Sequence, residues 1–210
     1  MDLNDFYDLS DPLSDRPFRG TFDTNESWLG LCDGRIKPKS PVIVKHYAGS
    51  KVPGDVIWTG ALTTIIHENV INVLLKYNLK GWDTYQVTVL SHNDELIPDY
   101  YGFAVTGRSG PFTAENSQVI YKQYPGGIYP RIRGISFDID TWDGSDIFIG
   151  DIEGCSHGVK TTQKIVQIFK KEKIKNISFE NITEYDTLAS NIRKDMLPPE
   201  IRKELYGNTE

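Results

Sequence analysis

The sequence predicts an α+β fold, in which a mostly antiparallel sheet carries two principal helices and the chain ends in a helical C-terminal tail. Two segments repeat apolar residues every three or four positions, as amphipathic helices do. Short runs rich in β-branched and aromatic residues separate them, bounded by Gly and Pro turn signals. Hydrophobic residues make up 39% and charged residues 25% of the 210 residues, which is the composition of an ordinary globular protein.

The N-terminal segment, residues 1–40, is predicted to be irregular, because Asp-Pro, Arg-Pro, Asp-Gly and Lys-Pro turn signals follow one another there. Its one apolar stretch surrounds Trp28, which we expect to dock the segment on the core. Residues 41–210 are predicted to form a single α+β domain. The predicted strands are 41–46, 85–90, 100–106, 119–124 and 177–182.

Both principal helices are predicted to begin at a threonine pair, since threonine is a good helix cap. The first follows the pair at 63–64 and runs to about Tyr77, and the second follows the pair at 161–162. In the tail, a helix is predicted from residue 186. A Pro-Pro pair then breaks it, and Pro199 opens a last short helix.

Two stretches of the chain resemble each other. They begin at Asp55 and Asp146, and each continues through a short strand, a Thr-capped helix and a second strand. Their helix-to-strand parts align without a gap at a shift of 95 residues. This similarity indicates a duplicated strand–helix–strand module, with halves at 41–125 and 126–210. The alternative is that any two capped helices that lead into strands look alike.

Charge and the chain ends limit the function classes. A net charge of −6 disfavours nucleic acid as a partner, because neutralising phosphates requires clustered Lys and Arg, whereas it favours basic protein partners. The first residues have no apolar signal-peptide region, and no apolar run approaches the ~18 residues of a membrane helix. We therefore predict a cytoplasmic protein with no membrane contact. Cys32 and Cys155 lie far apart without CxxC spacing, so we expect reduced thiols.

The densest polar segment is acidic and runs from Asp138 to Glu153. Paired carboxylates can hold Ca²⁺ or Mg²⁺, but aligning Gly144 with the glycine of a calcium loop puts Ile139 and Thr141 at ligand positions. We therefore predict no metal site and interpret the segment as a turn that contacts a partner. The partner-binding candidates are Asp138, Asp140, Asp143, Asp146, Asp151, Glu153 and Arg108, and the predicted structural anchors are Trp142, Trp58 and Trp28.

No pattern in the sequence indicates catalysis. The four histidines show neither HxH nor HExxH spacing, so zinc is not expected. Cys155 and His157 lie close in sequence, but near neighbours seldom aim at each other, and no Gly-x-Ser-x-Gly elbow occurs. The loop at 107–110 lacks the Lys-Ser/Thr ending of a phosphate-binding loop. The sequence thus predicts no catalytic residue, no cofactor and no enzymatic activity.

Several segments considered together resemble a known family: Ser27–Gly30, Trp58 with the unit from Thr63 to Gly81, Tyr101–Gly110, and Phe137–Phe148, followed by a helix and Ile177–Glu180. They are similar to the myxobacterial type of immunity proteins from bacterial polymorphic toxin systems, over about the last three quarters of the chain. The family has Gly-Arg-Cys-Gly where this chain has Ser109, which argues against a thiol function in that loop. The resemblance implies a cytoplasmic protein that binds and blocks a cognate toxin, and it supplies no catalytic residues.

Three functions stand as hypotheses. The first is an immunity protein whose acidic face captures a basic cognate toxin. The second is a structural or self-associating protein, for example a homodimer. The third is a hydrolase that uses the carboxylates between 138 and 153. A toxin gene directly upstream would favour the first hypothesis, and a metabolic operon would favour the third.

Overall fold

The computed structural model describes residues 1–12, 16–24, 26–60, 64–150 and 158–207. The described part of the protein is mostly β, with 39% of its residues in strands and 22% in helices. The predicted α+β arrangement with two principal helices is therefore wrong. Both predicted helices exist, but each spans only nine residues. The β-branched residues ahead of each helix, such as Ile65 and Ile66, belong to strands instead.

The described residues form fifteen strands and four α-helices. The strands are β1 (Phe6–Ser10), β2 (Arg19–Asp23), β3 (Val42–Ala48), β4 (Val56–Trp58), β5 (Thr64–His67), β6 (Trp82–Leu90), β7 (Leu96–Ile97), β8 (Tyr100–Val105), β9 (Gly107–Ser109), β10 (Gln118–Tyr124), β11 (Gly127–Arg133), β12 (Ile147–Gly150), β13 (Val159–Thr162), β14 (Ser178–Asn181) and β15 (Asp186–Leu188). The helices are α1 (Trp28–Cys32), α2 (Glu68–Lys76), α3 (Gln163–Lys171) and α4 (Pro199–Tyr206). Short 3-10 turns lie at Leu3–Asp5, Ile139–Thr141, Ala189–Asn191 and Lys194–Met196.

The largest sheet closes into a six-stranded barrel. Its order is β3-β2-β4-β5-β8-β6, and a parallel pairing of β3 with β6 completes the ring, while β7 extends β6. One buried side chain from each of five barrel strands packs with Phe18 into a single cluster. These side chains are Val44, Ile57, Ile65, Val89 and Tyr100.

The second sheet has the order β14-β1-β13-β12-β9, and one of its inner strands comes from the N-terminus. This strand, β1, pairs antiparallel with both β13 and β14, which follow it far along the chain. Residues 1–40, expected to be irregular, thus contribute β1, β2 and α1 to the fold. The turn signals that suggested irregularity lie between these elements or beyond them. A third sheet has the order β10-β11-β15. It packs against a buried cluster to which the C-terminal segment contributes.

The helix boundaries follow from local chemistry. His67 caps α2, because its Nδ1 accepts a hydrogen bond from the Asn69 backbone N–H at 3.1 Å. The predicted start at residues 63–64 is therefore too early, while Thr162 is the residue before α3, as predicted. The helix predicted from residue 186 is instead β15 and two 3-10 turns. Pro199 opens α4, as predicted.

The similarity between the two stretches extends to their hydrogen bonds. The His67 N–H donates to the Asp55 carbonyl at 2.9 Å, and the Thr162 N–H donates to the Asp146 carbonyl at 3.0 Å. The sheet orders β6-β8-β5-β4-β2 and β14-β1-β13-β12-β9 also match strand for strand. The second set needs β1 from the N-terminus, so the boundaries 41–125 and 126–210 do not describe the two units. Only the first set closes into a barrel among the described residues, because β3 connects its outer strands.

The main core lies between the two units and contains both α2 and α3. Val70, Leu74, Ile165 and Phe169 pack there with residues of β4, β5, β12 and β13. Cys32 is buried in the same cluster, whereas Cys155 lies outside the described residues. Across the described ranges, no helix combines the length and the apolar character that crossing a membrane requires.

Candidate functional site

The acidic segment forms a turn whose first two carboxylates are exposed. Asp138 precedes the 3-10 turn Ile139–Thr141, and its side chain accepts from the Asp140 N–H at 3.1 Å. Asp140 itself is exposed. Asp151 and Glu153 lie outside the described residues. The predicted acidic face is therefore described only in its first part.

The remaining described candidates bond to backbone groups, and Arg108 and Asp146 do so between the two units. Asp143, although exposed, accepts from the Arg108 N–H at 2.8 Å and from the Ser145 N–H at 2.9 Å. The Arg108 guanidinium donates to three backbone carbonyls, including that of Asp33 at 2.6 Å. Asp146 is buried and accepts from the Lys80 N–H at 2.8 Å. These side chains satisfy backbone groups, so they are less available to a partner than Asp140 is.

The three predicted anchors differ in burial. Trp58 is buried, and its indole N–H donates to the Asn176 carbonyl at 2.7 Å. Trp142 is half-buried, donates to the Ser145 carbonyl at 3.0 Å and packs edge-on against Phe6. The side chain of Trp28 is exposed at the start of α1. The sequence patterns did not distinguish these environments.

A polar cleft lies beside α2, at a place that the sequence analysis did not single out. Its volume is about 600 Å³. The alignment of the two units at a shift of 95 residues could have indicated this cleft. Some positions that line the cleft in the first unit carry a different polar residue in the second unit. The lining residues are Pro53, Gly54, Asp55, His67, Asn69, Asn72, Val73, Tyr100, Glu172, Lys173, Ile174 and Lys175.

Hydrogen bonds and a ring contact hold the floor of the cleft together. Asp55 Oδ2 accepts from the Lys175 N–H at 2.9 Å. The hydroxyl of Tyr100 donates to the Gly54 carbonyl at 2.8 Å, and its ring packs edge-on against His67 at 4.9 Å. Burial, followed by the charge of Asp55, raises the pKa of Tyr100 to about 12, so the phenol stays protonated at neutral pH.

Glu172 forms the opposite wall. Its Oε1 accepts from the Tyr77 hydroxyl at 2.5 Å and from Lys76 Nζ at 2.9 Å. The hydrogen bond from Tyr77 first, and then that from Lys76, lower the pKa of Glu172, so it remains ionised at neutral pH. This carboxylate is thus already occupied by groups on α2 and its C-terminal end.

The cleft carries acceptors and amides but no arrangement that favours a metal or a nucleophile. Among the described residues, no group of three or more His, Cys, Asp or Glu side chains is placed to hold a metal ion. The titratable groups that line the described cleft floor are Asp55, His67 and Tyr100, and His67 Nδ1 is engaged as the helix cap. The cleft can therefore bind a polar group. Among its described side chains, however, no acid or base is placed to activate a nucleophile.

The β10–β11 hairpin presents large side chains to solvent. Four are exposed, and Ile128 and Tyr121 reach 64% and 55% exposure. The hairpin also carries Lys122, whose ammonium contacts Asp186 of β15. β10 lies at the edge of its sheet. The strand register puts Tyr121 and Ile128 on one face of the hairpin and Lys122, Tyr124 and Tyr129 on the other, and we call these five residues together the hairpin surface.

The second unit contains a buried ion pair. Lys160 is 0% exposed, and its Nζ contacts Asp8 Oδ1 at 2.6 Å. The ammonium also lies 5.0 Å from the centre of the Phe112 ring and 5.9 Å from that of Tyr185. In the first unit, the matching positions are Ile65 and Gly102, judged from the strand registers. The pair is therefore a feature of one unit only.

Comparison with known proteins adds no relative. No protein-family model matches the sequence, and no curated protein matches it. The immunity-protein resemblance therefore stays a prediction from the motifs alone.

Proposed function

We propose that this chain is a non-catalytic binding protein of the immunity type, which binds and blocks a toxin protein in the cytoplasm. The hairpin surface is the observation that carries this proposal. Tyrosine and arginine dominate the energetic centres of protein interfaces, and exposed clusters of large apolar side chains mark interaction sites. The hairpin surface has three tyrosines and an isoleucine within nine residues, from 121 to 129.

The hairpin is also built to keep its shape while exposed. Tyr124 and Tyr129 contact each other edge-on at 6.1 Å, and Arg131 donates to the Tyr124 hydroxyl at 2.7 Å. Arg131 also makes an ion pair with Asp186 on the neighbouring strand. Side chains that are ordered before binding lose less conformational entropy when a partner arrives. This supports a preformed contact surface.

The first prediction tests the hairpin surface by rescue of cells. A toxin domain is taken from the gene directly upstream where that gene encodes one, and co-expression of this chain is expected to restore growth of cells that express it. Ile128→Asp combined with Tyr129→Asp is expected to abolish rescue, because a charge in a desolvated interface centre costs at least about 2 kcal/mol, or roughly 30-fold in affinity. The measured quantities are colony counts and the dissociation constant for the purified pair.

The matched control is Leu75→Asp combined with Tyr47→Asp, which places the same charges at side chains that are 63% and 75% exposed elsewhere. This variant is expected to rescue like the wild type. Equal rescue by both double variants would contradict the proposal. Sedimentation of the chain alone tests self-association, because a homodimer dissociated by the hairpin variant would support the structural hypothesis instead.

A second prediction concerns the charge of the partner. The net charge of −6 and the exposed Asp140 support a basic toxin, since such charges act mainly on the rate of encounter. Asp140→Lys is expected to slow association several-fold at low salt while leaving dissociation unchanged. Glu115→Lys, also at an exposed position, makes the same change in net charge. Equal rates for these two variants would show that the acidic segment has no special role.

A further inference from the structure

The two units place two aspartates in equivalent positions, and their surroundings differ in one respect. Asp55 Oδ2 accepts from the Lys175 N–H at 2.9 Å, and Asp146 Oδ2 accepts from the Lys80 N–H at 2.8 Å. Lys175 and Lys80 are themselves 95 residues apart, so each unit's aspartate binds the same point of the other unit. Both carboxylates are thus fixed by one oxygen in the same way.

The second oxygen of each carboxylate has a different environment. Asp146 Oδ1 contacts the ammonium of Lys164 at 3.1 Å. The residue that matches Lys164 in the first unit is Asn69, which carries no charge. Within the described part of the chain, Asp55 Oδ1 contacts no hydrogen-bond donor or cation, and this carboxylate lines the cleft of about 600 Å³.

We propose that this cleft binds the primary ammonium group of a ligand at Asp55, in the place that Lys164 occupies in the second unit. The ligand is a lysine side chain of a protein or a small alkylamine, which share this group. The second unit thus contains a tethered version of the complex that the first unit forms with a separate molecule.

The rest of the cleft suits an alkylammonium ion. The Tyr100 and His67 rings, which contact each other at the floor, offer aromatic surface to the alkyl chain and the cation. Asn69 and Asn72 on α2 offer amide oxygens to the remaining N–H groups. A single carboxylate oxygen with neutral acceptors matches the compact charge of an ammonium, whereas guanidinium binds best to two parallel oxygens.

Two exposed lysines beside the cleft limit the charge of the ligand. Lys173 and Lys175 line the cleft and are exposed. Their positive charge disfavours a second cation on the ligand, so a monoamine binds more tightly than a diamine of equal length. Glu172 on the opposite wall is engaged by Lys76 and Tyr77. Asp55 is therefore the carboxylate on which binding depends.

The test uses n-butylammonium and the blocked tripeptide N-acetyl-Gly-Lys-Gly-amide as probes, with N-acetyl-Gly-norleucine-Gly-amide as the uncharged analogue of the peptide. Binding is followed by ¹⁵N NMR of the backbone amides of Asn69 and Lys175, and by calorimetry. Both amines are expected to shift these resonances, and the norleucine peptide is not. Asp55→Asn is expected to weaken binding by about 10- to 100-fold, while its amide oxygen still accepts from the Lys175 N–H.

A second variant keeps Asp55 and fills the site from within the chain. Asn69→Lys recreates the arrangement of Lys164 and is expected to abolish amine binding, whereas the uncharged Asn69→Met is expected to retain it. Tighter binding of the peptide would assign the site to a protein's lysine, and tighter binding of butylammonium to a free amine. Equal binding of the norleucine peptide, or unchanged binding in Asn69→Lys, would overturn the proposal.

This inference does not rest on the hairpin surface, and the two can fail separately. The Ile128→Asp and Tyr129→Asp variant, which is expected to lose toxin blocking, is expected to bind butylammonium like the wild type. Loss of amine binding in that variant would contradict the assignment of the ligand to the Asp55 cleft.

Discussion

Asp8→Ala is expected to lower the free energy of unfolding by about 3–5 kcal/mol, because it removes one partner of a buried ion pair. Lys160 Nζ lies 2.6 Å from Asp8 Oδ1, and neither side chain is more than 9% exposed. Urea unfolding followed by tryptophan fluorescence measures the change.

The double variant Asp8→Ala with Lys160→Met distinguishes a lost charge pair from a lost side chain. Replacing both members of a buried pair by apolar groups is often close to neutral, so this variant is expected to recover most of the lost stability. Asp140→Ala, at an exposed position, is expected to change stability by less than about 0.5 kcal/mol. If Asp8→Ala is as stable as Asp140→Ala, the pair does not stabilise the fold.

The two units show how one backbone arrangement accepts different interiors. Asp8 lies opposite Lys160 on one side and Glu180 on the other, and Gly102 lies in the same way between Ile65 and Tyr85. In the first unit, the Tyr85 ring fills the space above Gly102, where a Cβ would come within 2.1 Å of the ring. A charge pair in one unit thus replaces an aromatic–glycine contact in the other.

Local patterns were enough to identify segments whose structure is decided locally. The strand at 100–106 and the proline-opened α4 follow from alternation and the fixed φ of proline. Helix α3 begins directly after Thr162, although that side chain makes no capping hydrogen bond. The start of α2 was placed too early, because threonine at 63–64 resembles a cap. Thr64 to His67 instead pair with β4 and β8, and this tertiary pairing outweighs the capping signal.

The fold class could not be obtained in the same way, because it depends on distant pairings. Nothing near Phe6–Ser10 indicates that β1 will lie between β13 and β14. Barrel closure likewise depends on the pairing of β3 with β6, which the alternation of either strand does not specify. Short strands with few local signals also make the β content look smaller than it is.

The candidate site was predicted from charge density, which does not separate free carboxylates from structural ones. Asp138 and Asp140 are exposed, as a partner-binding face requires. Asp143 and Asp146, within the same run, accept the backbone N–H groups of Arg108 in β9 and of Lys80 between α2 and β6. The cleft at Asp55 was missed because its lining comes from four separate parts of the chain. Sequence neighbours give no sign of such a site.

Gly81→Ala is expected to destabilise the protein by about 2–5 kcal/mol, from two independent causes. Gly81 has φ of +96°, a conformation that costs an L-residue about 1–2 kcal/mol. A Cβ there would also lie 1.9 Å from the Ile147 carbonyl oxygen, and overpacking a core costs about 1–3 kcal/mol more. The clash is with backbone, so no change of rotamer relieves it.

Gly144→Ala separates the two causes. Gly144 also has a positive φ, of +82°, but a Cβ there would have no described atom within 4 Å apart from its chain neighbours. It is expected to cost only the conformational part, about 1–2 kcal/mol. The difference between the two variants therefore measures how closely the two units approach at Gly81, where the Thr106 and Gly107 N–H groups both donate to its carbonyl. Thermal unfolding of both variants decides the matter: equal losses would mean that the units are less tightly joined at this point than the Ile147 contact implies.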